Sequence, residues 1–179
     1  MASETQKDRL AQEAHLIAKR KIKYKASYQI IDYPGGDIPA SQGVCTDLVI
    51  RAYRKIRIDL QKEIHEDMQK NFHKYLQTWG QKKADSNIDH RRVKNLSKFF
   101  QRKGKILPIT DNPCDYKPGD IIVWDTSFGN KKLDHIGIVA NSKALWCSGR
   151  YQTLHHGWGN PREDDSLFLW PITDHYRYP

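Results

Sequence analysis

The chain has 179 residues, 38% of them hydrophobic and 11% aromatic, which is enough apolar mass for one domain with a sizeable core and argues against disorder. Thirty basic and 21 acidic residues leave a net charge of +9, spread along the chain rather than gathered in one block. That balance favours an acidic partner without choosing one, and no base-reading nucleic-acid motif accompanies it. No apolar run approaches the roughly 20 residues that span a bilayer, so an integral membrane segment is not expected.

In chain order, residues 3–20 read as a helix. Ser3 stands where a cap belongs, and Leu10, Ala14, Ile17 and Ala18 share one face. A short extended piece, Tyr28 to Ile31, leads into a turn-rich loop, Tyr33-Pro34-Gly35-Gly36-Asp37-Ile38-Pro39. A second helix is predicted from Cys45 to about Ile56, with Val44, Leu48, Val49, Ala52 and Ile56 as its stripe. A third runs from Leu60 to Leu76, with apolar residues every four positions. A fourth covers His90 to Arg102, and Asp89 is placed to cap it.

After Gly104 the period changes from 3.6 to 2. Short β-rich runs are predicted at Lys105–Ile109, Asp120–Asp125, His135–Ala140, Ala144–Cys147, Tyr151–His155 and Ser166–Trp170. Helices followed by an antiparallel sheet define an α+β fold, with the strands coiling into a half-barrel. No linker divides the chain, so residues 1–179 are expected to form a single domain.

Three cysteines are present, none spaced for a CxxC metal site. Cys45 opens an amphipathic helix, where unpaired N–H groups and the helix dipole are expected to draw the thiol pKa down from about 8.5 toward neutrality. The same N–H groups can hold an oxyanion. A small buried apolar residue is the plainer reading of a cysteine there. His135 sits at the mouth of an apolar strand, Leu133-Asp134-His135-Ile136-Gly137-Ile138-Val139, and can face a cleft as general base. His155 ends the next long strand, in Thr153-Leu154-His155-His156. Strand alternation lets only one of His155 and His156 face that cleft, and His155 can orient His135. Metal binding by His135, His155 and a carboxylate is a rival without an HExxH helix behind it.

Other polar groups have plain readings too. His65-Glu66-Asp67 is a solvated helix face or a cation site. Arg91 and Arg92 either pair internally or reach a substrate carboxylate. Trp124 belongs to the core, while Trp79 and Trp158 could line a cleft.

Tyr33, the Gly35-Gly36 loop, Gly43-Val44-Cys45-Thr46-Asp47, Pro118-Gly119-Asp120, Asp134-His135-Ile136-Gly137-Ile138 and Leu154-His155 occur in that order. This set resembles the NlpC-type papain-like cell-wall peptidases. A closer resemblance is to the bacterial family named domain of unknown function 1287. It rests on Tyr33-Pro34-Gly35-Gly36-Asp37, on Gly43 to Asp47 and on Asn87-Ile88-Asp89-His90-Arg91-Arg92. Asp134 to Ile138 and the tail Thr173-Asp174-His175-Tyr176-Arg177-Tyr178 complete it. One departure is that Val44-Cys45-Thr46-Asp47 replaces the usual Asp-Cys-Ser-Gly, and another is the long spacing from His135 to His155.

The resemblance implies a papain-like fold and a cysteine hydrolase that cuts amide bonds, with peptidoglycan stem peptides as substrate. Cys45, His135 and His155 would form its triad. Tyr33, Asp47, Arg91 and Arg92 would serve the oxyanion or the substrate. No cofactor and no metal is required. The expected partner is peptidoglycan or another peptide-containing acidic polymer, not nucleic acid, and the expected state is a monomer. The expected home is the periplasm or the exterior, with the leader absent from this chain, and there Cys114 and Cys147 would pair as a disulfide. The alternatives are a binding module on the same fold, which alkylation of Cys45 would tell apart, and an acyltransferase using the same thiol.

Overall fold

The computed structural model describes residues 5–76, 80–127, 134–145, 149–157 and 159–179. Helix α1 (Gln6–Ala18) starts at a capping box: Thr5 Oγ1 accepts the Asp8 N–H, and the Asp8 carboxylate accepts the Thr5 N–H. Ser3, expected as the cap, lies outside the described residues. Two short parallel strands follow, β1 (Lys23–Tyr24) and β2 (Gln42–Gly43), with Tyr24 directly beside Gly43. The predicted extended piece at Tyr28–Ile31 forms no strand. Helix α2 (Cys45–Lys55) carries the apolar stripe and is buried along most of its length.

Helix α3 (Leu60–Asn71) is shorter than its period suggested, because the chain tightens into a 3₁₀ turn at Phe72–Lys74. Helix α4 (Val93–Lys103) is capped at Arg92 rather than at Asp89. Asp89 belongs to a separate 3₁₀ turn, Asp89–Arg91, and its carboxylate accepts from Gln81 and from the Asp85 N–H.

Six strands make one antiparallel sheet: β3 (Lys105–Ile106), β4 (Ile121–Asp125), β5 (Asp134–Lys143), β6 (Tyr151–His155), β7 (Arg162–Asp164) and β8 (Ile172–Arg177). Their order across the sheet is β3-β8-β4-β5-β6-β7. The run Ser166–Trp170, expected as a strand, is a turn closed by Leu169 N–H donating to Ser166 O at 3.1 Å. One of its apolar residues goes to burial rather than pairing: Leu167 is fully buried in a satellite core with Tyr116, Ile122, Trp124 and Val139, while Phe168 and Leu169 are exposed. The main core lies on the other sheet face. There Ile121, Val123, Ile136, Ile138 and Ala140 meet α1, α2 and α4. Alternation along β4 and β5 therefore feeds two cores, and both strands read as nearly continuous apolar runs.

The expected Ala144–Cys147 strand is not formed at Ala144, where β5 has already ended. Cys114 is exposed, and its expected partner Cys147 lies outside the described residues, as do Trp79 and Trp158. No helix among the described residues is long and apolar enough to cross a membrane.

Candidate active site

The site begins at the N-terminus of α2. Val44 occupies the cap position and offers no side-chain acceptor. The first-turn N–H groups are therefore not consumed by a cap. The Cys45 sulfur sits against the backbone N–H groups of Ile136, Thr46 and Cys45 itself. Contact with Ile136 places the sulfur beside β5, one residue from His135.

Asp47 secures this turn from below. Its Oδ2 accepts the Val44 N–H at 2.7 Å, and Arg91 forks onto it, Nε to Oδ1 at 2.9 Å and Nη2 to Oδ2 at 3.1 Å. Both side chains are nearly inaccessible, at 2% and 3% exposure. Arg91 Nη1 also donates to Ser27 O at 3.1 Å. The substrate roles expected of Asp47 and Arg91 are thus corrected: each is the other's buried partner, and together they brace the helix start. Arg92 is likewise turned inward, its Nη1 donating to Gln81 Oε1. It is engaged within the protein rather than presented to a ligand.

Tyr33 is placed elsewhere. Gln61 on α3 draws the glycine loop to itself, accepting from the Gly36 N–H at 2.9 Å and donating to Asp32 O at 2.8 Å. Tyr33 then packs its ring on His65, with centroids 4.9 Å apart. The tyrosine near the thiol is Tyr24, held by the pairing of β1 with Gly43 two residues before Cys45. Its phenol pKa is pushed up to about 12 by partial burial, with the nearby Cys45 and Asp47 adding to the shift, so it stays a hydrogen-bond donor.

His135 Nε2 and His155 Nδ1 are 2.8 Å apart. His155 Nε2 in turn lies 3.1 Å from Asp164 Oδ1 and 3.2 Å from Ser166 Oγ. Trp124 stacks on His135 at 5.7 Å, and Trp170 meets both imidazoles edge-on at 5.8 and 5.9 Å. Gly137 makes the first contact possible: a Cβ there would stand 2.9 Å from the Trp124 ring and 2.7 Å from Leu154 O. The neighbouring His156 turns the other way, onto the edge of Tyr24 and to Gly159 O.

Burial pushes the His135 pKa down to about 3, helped by His155, Arg162 and His156 and opposed by Asp164. Burial likewise pushes the Cys45 thiol up to about 12, against the three backbone amides that favour the thiolate. The expected fall toward neutrality is therefore reversed. The amides act on a residue only 5% exposed, and the sulfur's loss of hydration outweighs them. Burial thus favours the neutral form of each group, thiol and imidazole.

A cavity of about 290 Å³ opens beside His135, lined by Tyr24, Thr126, Asp134, His135, Gly157, Arg162 and Trp170. A larger hollow of about 560 Å³ between residues 109–111 and 168–172 holds neither thiol nor imidazole. Of the run His65-Glu66-Asp67 on α3, weighed as a solvated face or a cation site, Asp67 is engaged internally: Arg102 forks onto it, and Tyr75 donates to it at 2.7 Å. Sequence reasoning missed Tyr24, Asp164, Ser166 and Trp170. Asp164 carried no sequence signal, because its strand is three charged residues with no alternation to mark it.

Two solved structures share this arrangement of helices and sheet. NlpC2 from Trichomonas vaginalis aligns over 98% of the chain with a TM-score of 0.52, and NlpC1 from the same organism over 99% with 0.51, each at 16% identity. The fold is therefore α+β and NlpC-type papain-like. The chain spans only about half of those proteins, 50% and 46% of their lengths. The chain itself belongs to the family described as Domain of unknown function (DUF1287), which matches residues 11–178. It is 47% identical over 155 residues to a protein of Escherichia coli (strain K12) described as "Uncharacterized protein YijF", covering 87% of this chain and 73% of that one.

Proposed function

We propose that the protein is a cysteine hydrolase that cleaves amide bonds in peptidoglycan stem peptides, acting outside the cytoplasm. The observation that carries this reading is the His135 Nε2–His155 Nδ1 hydrogen bond, 2.8 Å long. It commits one nitrogen of His135 and reserves Nδ1 for a proton from the neighbouring thiol. His135 Nδ1 takes the Cys45 proton as the sulfur attacks the carbonyl carbon. The first-turn N–H groups of α2 and the Tyr24 hydroxyl stabilise the oxyanion. His135 returns the proton to the amine as the C–N bond breaks, and water then hydrolyses the thioester. The NlpC-type resemblance supplies the substrate class, and the net charge of +9 suits a carboxylate-rich wall polymer.

A second reading, a wall-binding module without turnover, draws on the deep burial of the thiol. Digestion of purified peptidoglycan, with mass analysis of released muropeptides, separates the two. Wild type should release peptide fragments while Cys45→Ala and His135→Ala release none at unchanged melting temperature. Full release by Cys45→Ala would exclude covalent catalysis. Wild-type sedimentation with peptidoglycan and no release would favour the binding module.

A further inference from the structure

We propose that Asp164 is a positioning residue, which fixes the tautomer of both His155 and His135 and so keeps His135 Nδ1 unprotonated. The inference rests on the reading of His135 as general base and extends the chain of groups behind it by one.

The register places Asp164 there. Strand β7 pairs with β6 so that Asp164 faces Thr153 and Arg162 faces His155. Thr153 and His155 share one face of β6, and Asp164 lies diagonal to His155 on that face, within reach of its ring. The carboxylate is held from three sides. Arg162 Nε donates to Oδ2 at 2.8 Å, the Ser166 hydroxyl donates to Oδ1, and His155 Nε2 lies 3.1 Å from Oδ1.

The protons then follow by elimination. Burial raises the Asp164 carboxyl, but the His155 hydrogen bond and Arg162 outweigh it and hold the pKa below its ordinary value. An ionised carboxylate only accepts, so His155 Nε2 carries the proton of that bond. In the tautomer with its proton on Nε2, His155 presents a bare Nδ1 that accepts, and the donor across the 2.8 Å contact is His135 Nε2–H. Neutral His135 has no second proton, and its Nδ1 keeps a lone pair. Were Asp164 absent, His155 could carry its proton on Nδ1. His135 Nε2 would then accept it, and Nδ1 would be the protonated nitrogen, unable to take the thiol proton.

The test is ¹⁵N-resolved NMR of the imidazoles in the full chain, with His135→Gln assigning one ring, alongside muropeptide release and melting temperature. Both rings should show the Nε2–H form in wild type. Asp164→Leu should mix the His135 tautomers and cut release about 10²-fold, less than the ~10⁴-fold seen when the direct orienter of a catalytic histidine is altered. Asp164→Asn, whose amide oxygen still accepts, should keep the wild-type tautomer. A wild-type His135 protonated on Nδ1 overturns the proposal, as does an Asp164→Leu spectrum identical to wild type. Tautomers as expected with no release by wild type would uphold the role of Asp164 while removing the hydrolase reading.

Discussion

Replacing Arg91 by Met should unfold the protein far more readily than an ordinary arginine substitution. The change leaves the Asp47 carboxylate buried, 3% exposed, with the Val44 N–H at 2.7 Å as its remaining hydrogen-bond partner among the described residues. It deletes two charge-assisted bonds to that carboxylate and a third, at 3.1 Å, to Ser27 O. Breaking a buried pair from one side typically costs about 3–5 kcal/mol, because the surviving charge keeps its desolvation penalty. Removing both charges should recover much of that loss, so the double variant Asp47→Leu/Arg91→Met should be more stable than Arg91→Met alone. The coupling between the sites is expected at about 2–3 kcal/mol. Urea unfolding of the wild type, both single variants and the double supplies the cycle. A cost for Arg91→Met below about 1 kcal/mol, the range of an exposed pair, would refute the argument and return Arg91 to the substrate role that its sequence suggested.

Two further predictions concern stability. His90 and His135 are both buried, and burial holds each pKa near about 3, so unfolding takes up protons as pH falls below the ordinary histidine value of about 6.5. Their contribution is present above that value and lost toward pH 3, at about 1.4 kcal/mol per pH unit for each. Urea midpoints at pH 7, 6 and 5 should fall accordingly, and His90→Gln should remove about half the slope; equal midpoints would contradict the burial argument. Gly137→Ala should cost about 1–3 kcal/mol by overpacking, since its Cβ would stand 2.7 Å from Leu154 O and 2.9 Å from Trp124. Tryptophan fluorescence should shift with it, and an unchanged spectrum at wild-type stability would show that Trp124 has room to retreat.

The parts of the site visible in the sequence were those with a period or a motif behind them. Helix α2 was readable because its apolar stripe starts at the residue that also carries the thiol. The His135–His155 contact was readable because His135 opens one strand and His155 ends the next long one, which puts both at the same end of the sheet. Strand β7 was not: Arg162–Asp164 is charged throughout, three residues long and at the sheet edge, so no alternation marks it. Tyr24 was hidden for a different reason. Tyr33 stands in a glycine motif, but the side chain that decides where that loop docks is Gln61, 28 residues away in sequence by number and silent in any local pattern. Arg91 could be recognised as a charge awaiting a partner, yet only the fold shows that the partner is Asp47. The direction of the thiol shift depended on burial, which a helix position alone does not contain.

That shift carries the most specific consequence for reactivity. With its pKa near about 12, the Cys45 sulfur ionises at pH 7 in only about one molecule in 10⁵, against about one in 30 for an ordinary thiol near 8.5. The more basic thiolate is also more nucleophilic, which returns between one and two powers of ten. Cys45 should therefore exchange with a small neutral disulfide about 10²-fold more slowly than an ordinary thiol at pH 7, with the rate rising about tenfold per pH unit and no plateau below pH 9. Mass analysis of the Cys45 peptide separates this rate from that of exposed Cys114. A plateau below pH 7 would mean that the helix N-terminus outweighs burial and that thiolate and imidazolium already coexist at rest. Without a plateau, amide cleavage needs a base at the moment of attack. His135→Ala should then leave disulfide exchange, which uses only the preformed thiolate, near the wild-type rate while removing muropeptide release. Loss of both together would show that His135 shapes the thiol itself rather than receiving its proton.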